Sequence, residues 1–189
     1  MYELPTELCG LKIRSDYRVI LDIIEAINDS ELNEEEKAMA TLQMLYVDWK
    51  KIKDYQEVIA QAYWFISVGE VGSSTSKPKL MDWQQDFKLI VTSINRVLGK
   101  EVRSLDYLHW WTFVGAYYEI GESVFSTIIG IRSKKSKGQK LEKHEQEFYL
   151  ENKDTIDLKT QYTKEELDEY EQLKNLIDSK IPIREHFKE

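Results

Sequence analysis

The fold is decided by the stretch Tyr107–Ile131, which reads YLHWWTFVGAYYEIGESVFSTIIGI. Two adjacent apolar stripes run through it at helical spacing. The first comprises Tyr107, Trp111, Val114, Tyr118 and Phe125, and the second comprises Trp110, Phe113, Tyr117, Ile120 and Val124. A helix that is apolar over so wide an arc is normally the central helix of a bundle. The pattern therefore predicts one long buried helix, capped by Ser104.

Helical periodicity also dominates the chain before this stretch. Further helices are predicted to begin near Ser15, Asn33, Tyr55 and Asp82. Asn33 followed by Glu36 resembles a capping box, and Asp82 followed by Gln85 forms another cap pair. The helix after Asp82 is expected to end at Gly99, where a left-handed C-cap belongs.

The chain after the central stretch is more polar. The run Arg132–Lys143 reads RSKKSKGQKLEK and is predicted to be a basic link to a helix over Leu141–Asn152. Thr155–Leu158 fits a short extended piece. A last helix, mainly acidic on its outer faces, is predicted from Thr163, with Glu166 completing a capping box.

These elements predict an all-α bundle of about six or seven helices around the central aromatic-rich helix. An N-terminal helical part spans residues 1–68, and the Gly- and Ser-rich residues 69–79 are predicted to form a flexible loop. A C-terminal helical part covers 80–160, and residues 161–189 form the acidic helix and tail. We expect one compact domain overall.

Composition excludes several classes of protein. The 189 residues include 26 Lys and Arg and 34 Asp and Glu, for a net charge of −8. This balance disfavours nucleic-acid binding, which needs a basic face to replace phosphate counterions. A hydrophobic fraction of 42% argues against simple disorder.

The single cysteine, the N-terminal residues and the charged residues of the apolar stretch favour a cytoplasmic protein that does not span a membrane. Cys9 is the single cysteine and cannot form an internal disulfide, and the first ten residues lack a secretory signal. Tyr107–Ile131 is long enough to cross a bilayer, but His109, Glu119 and Glu122 within it would each cost a few kcal/mol in hydrocarbon. A buried helix is the favoured interpretation.

Few residues suggest catalysis, and neither a glycine-rich phosphate loop nor an HExxH motif is present. Asp106 and His109 share a helix face at the spacing found in di-iron bundles, with a second carboxylate pair at Glu119 and Glu122. Such a metal site would need a second Glu-x-x-His, which is missing, so local hydrogen bonding and a solvated face are the alternatives. Cys9 lies in no nucleophile motif. No enzyme activity, cofactor or metal is expected.

The aromatic and basic residues allow two interpretations. The five tryptophans fit core positions, whereas any exposed one would mark an interface. The basic run fits a solvated loop, and its alternative is a site for an acidic protein surface.

The block YLHWWTFVGAYYEIG at Tyr107–Gly121, followed by IRSKKSKGQKLEKHEQEFY at Ile131–Tyr149, resembles the bacteriophage "gp-fifteen" family. The resemblance extends upstream through DW at Asp82 and Trp83 and INRVLGKEVRSL at Ile94–Leu105, and it covers most of residues 1–160. Members are small proteins of the tail module in phages and prophages of Gram-positive bacteria.

The resemblance implies a tail assembly chaperone, because the family's genes lie between those for the tail tube and the tape measure. The implied partners are the tape measure protein, the tail-tube protein and further copies of the chain, in the cytoplasm of the bacterial host. The alternative is a structural component of the tail or capsid that stays in the virion. Candidate interaction residues are Trp110, Trp111, Arg132, Lys134, Lys135 and Lys137.

Overall fold

The structure is a computed structural model that describes residues 3–70 and 78–159. Within these ranges, a small antiparallel hairpin precedes eight α-helices, which confirms the all-α prediction. The hairpin pairs β1 (Glu7–Leu8) with β2 (Leu11–Lys12). The helices are α1 (Tyr17–Asn28), α2 (Glu34–Leu45), α3 (Tyr55–Ile66), α4 (Trp83–Leu98), α5 (Trp110–Tyr118), α6 (Val124–Ser136), α7 (Lys143–Glu151) and α8 (Lys153–Ile156). Short 3-10 turns lie at Trp49–Lys51 and Val102–Ser104.

The predicted helix caps of α2 and α4 are present. Asn33 Oδ1 accepts from the backbone N–H of Glu36 at 3.0 Å, while the Glu36 side chain accepts from the N–H of Asn33 at 2.9 Å. Asp82 Oδ1 accepts from the N–H of Gln85 at 2.8 Å. Helix α4 ends at Gly99, whose φ of 66° is left-handed and suits a residue without Cβ.

The prediction of one long central helix was wrong, because the stretch forms two helices. Helix α5 begins only at Trp110, and Ser104 lies in a 3-10 turn. The chain leaves the helix at Glu119, and Ser123 starts α6 from an extended conformation. Ser123 Oγ accepts from the N–H of Ser126 at 3.0 Å, and Ser126 Oγ accepts from the N–H of Ser123 at 2.8 Å. This reciprocal capping replaces the helical bonds that would otherwise cross Gly121.

Three other boundaries differ from the expectation. Residues 132–136 of the basic run belong to α6, and the helix predicted to begin at Leu141 begins at Lys143. Thr155 and Ile156 lie in the helical turn α8 and are not extended.

The hairpin was not predicted from the sequence. The helix predicted from Thr163 and residues 71–77 of the loop lie outside the described residues.

Within residues 3–70 and 78–159, buried side chains form two clusters. The main core combines residues from α1 to α5, and the largest fully buried side chains in it include Tyr17, Tyr46, Phe65, Trp110 and Phe113. The second core consists of Ile128, Ile131 and Ile156, with Leu89, Leu141, Phe148 and Tyr149 packed against it. The second core therefore joins α6, α7 and α8 and contacts α4 through Leu89.

In the part of the chain that the structure describes, no helix has both the length and the apolar character needed to cross a bilayer. Tyr107–Ile131, the stretch long enough to cross a bilayer, is interrupted between α5 and α6.

Candidate protein interaction surface

The two predicted interaction tryptophans tie α5 to the end of α3. Trp110 is 2% exposed, and its Nε1 donates to the carbonyl of Ile66 at 2.9 Å. Trp111 is half-buried, and its Nε1 donates to the carbonyl of Phe65 at 2.9 Å. Both indole N–H groups are therefore satisfied within the chain, and Trp110 has little surface to offer a partner.

His109 is the N-cap of α5. Its Nδ1 accepts from the backbone N–H of Trp111 at 3.0 Å, and its Nε2 donates to the carbonyl of Pro5 at 2.9 Å. The side chain is buried, at 4% exposed. Because both ring nitrogens are occupied, His109 holds the N-terminal segment against α5 and presents no free lone pair to a metal.

The alternative metal site at Asp106, His109, Glu119 and Glu122 has no geometric support within the described residues. Across residues 3–70 and 78–159, no group of three or more His, Cys, Asp or Glu side chains is placed to hold a metal ion. Glu119 and Glu122 are exposed on either side of the break between α5 and α6.

Cys9 occupies the hairpin turn. Partial desolvation and the carboxylates of Glu57 and Asp54 raise the pKa of its thiol, which disfavours the thiolate.

Arg132 lies at the centre of a buried hydrogen-bond network. Its Nη1 and Nη2 form a bidentate pair with Asp86 on α4, at 2.6 and 2.9 Å. The remaining guanidinium N–H groups donate to carbonyls of Leu80, Thr155 and Ile156 at 3.0, 3.0 and 2.6 Å. All five donors of the guanidinium are thus used, and Arg132 fastens α6 to α4 and α8.

The candidate lysines of the basic run differ in their availability. Lys134 Nζ lies 2.6 Å from Glu145 on α7, and this contact raises the pKa of the lysine. Lys135 Nζ lies 2.6 Å from Asp157 and 3.8 Å from the ring centroid of Tyr149. Lys137 is exposed after the last turn of α6 and makes no ion pair with a described residue. Of these three, Lys137 is the one whose charge is uncompensated within the described chain.

Sequence reasoning missed an open apolar groove between α1 and α4. The groove has a volume of about 270 Å³, and its apolar lining comes from Tyr17, Leu21, Ile24, Trp83 and Phe87. A second, adjoining concavity of about 640 Å³ runs from α1 towards α3 and shares Ile24 and Asn28 with the first. The signal available in the sequence was the set of apolar residues on α1, of which Leu21, Ile24 and Ile27 remain only partly buried.

Comparison with known proteins gives one match. The family described as Bacteriophage Gp15 protein matches residues 3–158, which is most of the chain. The chain belongs to the Bacteriophage Gp15 protein family. No curated protein and no solved structure matches it. The matched region, residues 3–158, includes both cores and the groove. The acidic residues 161–189 follow it in the sequence.

Proposed function

We propose that this Gp15 family protein is a tail assembly chaperone that binds the tape measure protein while the tail tube forms in the host cytoplasm. The proposal rests on binding alone, with no catalytic step and no cofactor. The family match supports a phage function, and the apolar groove on α1 and α4 is the structural observation that favours binding of another protein. Tape measure proteins are long and helical, and an amphipathic helix can place its apolar face in such a groove.

Co-expression with the tape measure protein of the same phage tests the proposal. We expect a soluble complex in pull-down, with a mass by light scattering that corresponds to several copies of the chaperone, while the tape measure protein alone is insoluble. Two well-folded soluble proteins that form no complex would contradict the proposal. Detection of the protein at a fixed copy number in purified virions would instead support a structural tail or capsid component.

A further inference from the structure

Trp83, in the wall of the α1–α4 groove, packs against the main core. Trp83 lines the groove, and its ring contacts the rings of Trp110, Phe113 and Tyr117 at centroid distances of 5.9, 6.2 and 5.2 Å. Trp110 and Phe113 are fully buried in the main core. A side chain held by three aromatic neighbours loses little conformational entropy when a ligand covers it, so the groove is preorganised for binding.

The groove and its neighbouring concavity follow the length of α1. They share Ile24 and Asn28, and together they border most of the twelve-residue helix. Twelve helical residues span about 18 Å, which is enough to accept about three turns of a partner helix. A partner helix would place anchors at i, i+3 or i+4 and i+7 along such a surface.

The rim of the groove carries uncompensated negative charge. Asp22 and Glu25 lie on the exposed side of α1 and line the groove. Neither makes an ion pair within the described residues, and the Glu25 carboxylate accepts only from the neutral Nε2 of Gln84 at 2.9 Å. The other charges at the rim are already neutralised: Asp82 pairs with Lys79 at 2.7 Å, and Arg18 pairs with Asp16 at 3.2 Å.

We propose that the α1–α4 groove binds an amphipathic helix of the tape measure protein whose apolar stripe is flanked by Lys or Arg residues that pair with Asp22 and Glu25. This inference rests on the proposed function and names the surface and the partner chemistry. The apolar floor supplies most of the affinity, while the two carboxylates set the orientation of the helix and the rate of encounter.

The same charges disfavour two other occupants. Residues 160–189 carry more Asp and Glu than Lys and Arg, so like charges disfavour this segment as the occupant. The last described residue, Lys159, lies near the rim: its backbone N–H donates to Gln85 Oε1 at 3.0 Å, one residue from Gln84. A second copy of the chain on a twofold axis would bring the carboxylates of the two subunits together.

Charge reversal at the rim tests the proposal. The probe is the soluble complex with the co-expressed tape measure protein, and its dissociation constant is measured by dilution of the purified complex for the wild type, for Asp22→Lys/Glu25→Lys and for a matched control. Glu147→Lys/Glu151→Lys is the control, since it makes the same charge change on an exposed face of α7. We expect the rim variant to bind about tenfold more weakly, with a difference that shrinks in high salt, and the control to bind within about twofold of the wild type. Equal thermal stability of all three proteins shows that folding is intact.

Each contrary result has a distinct meaning. If the wild type does not bind the tape measure protein, the proposed function fails and this inference fails with it. If the wild type binds and the rim variant binds equally well, Asp22 and Glu25 do not pair with the partner helix, so this inference fails while the proposed function stands. The variant Leu167→Glu/Leu173→Glu tests residues 160–189 as the occupant. If it increases both the affinity for the tape measure protein and the rate of hydrogen exchange in α1 of the isolated protein, these residues occupy the groove. If light scattering of the isolated wild type gives a dimer that the rim variant abolishes, the occupant is a second copy. Either of these last two results overturns the proposal.

Discussion

The two cores of the protein are stabilised by different kinds of interaction. The main core is aromatic and almost free of charge: the rings of Tyr17 and Phe113 stack at 4.5 Å, and those of Trp110 and Phe113 lie 5.9 Å apart. Among the described residues, the second core has three fully buried apolar side chains, Ile128, Ile131 and Ile156. A buried ion pair between Arg132 and Asp86 lies beside these isoleucines.

This difference shows how a small apolar cluster can still have a defined geometry. Full burial of an isoleucine contributes about 1.5–3 kcal/mol and does not depend on direction. The guanidinium of Arg132 makes five directional hydrogen bonds, to α4, to the segment before α4 and to α8. Apolar burial thus stabilises the second core, and the Arg132 network fixes where α6 and α8 lie relative to α4.

Removal of one partner of the ion pair is expected to have the largest effect. Arg132→Met leaves the Asp86 carboxylate buried without a charge partner, and we expect the free energy of unfolding to fall by about 3–5 kcal/mol. The double variant Arg132→Met/Asp86→Leu removes the stranded charge as well, so it is expected to be more stable than Arg132→Met alone. Urea denaturation of the single and double variants measures both quantities.

The control for this prediction is Lys100→Met, a charge removal at an exposed position, which we expect to change stability by less than about 0.5 kcal/mol. A loss of only about 0.5 kcal/mol on Arg132→Met would contradict the role assigned to the network. Apolar packing would then be the main stabilising interaction in both cores, and they would differ only in composition.

A matched pair of smaller substitutions compares the packing of the two cores directly. Ile90 in the main core and Ile156 in the second core are both fully buried, at 0% exposed. If both sites are close-packed, Ile90→Val and Ile156→Val each cost about 0.5–1.5 kcal/mol, because each removes one methylene. The measurement is again urea denaturation, and Val124→Ala at an exposed position of α6 is the control. A cost at Ile156 close to zero would mean that the second core is loosely packed and depends on the ion pair alone.

Local sequence patterns predicted the features that local interactions determine. The Asn33–Glu36 capping box, the Asp82 cap and the Gly99 terminus involve residues within a few positions of each other, and all three are present. The break of the central stretch is also local, since Ser123 and Ser126 cap each other. The apolar stripes continue through Gly121 on both sides of this pair, so hydrophobic periodicity alone predicts an unbroken helix.

The role of Arg132 could not be read from its neighbours. Its sequence context is a basic run, which is typical of a solvated loop, whereas its buried partner Asp86 lies 46 positions earlier in the chain. Asp86 itself was a usable signal, because it is a charged residue one turn before Ile90 on the buried side of α4. The groove depends on how α1 and α4 pack, which no local pattern specifies.

The smallest expected effect concerns pH and the surface ion pairs around the second core. Lys134 holds the pKa of Glu145 below its usual range, and Lys135 does the same for Asp157. A carboxylate whose pKa is lowered by folding stabilises the protein above its unfolded pKa, and this contribution is lost as the pH falls through the folded pKa. The loss therefore lies below about pH 4, where unperturbed carboxyl groups begin to protonate.

We accordingly expect acid to loosen the second core before the main core. Between about pH 6 and pH 3, hydrogen-exchange protection, corrected for the intrinsic exchange rate, should fall further in α7 and α8 than in α1. The control Glu145→Gln/Asp157→Asn removes both titrating groups, so its protection in α7 and α8 should depend less on pH. An unchanged pH dependence in this variant would contradict the role assigned to these two ion pairs and would assign the acid sensitivity to other carboxyl groups.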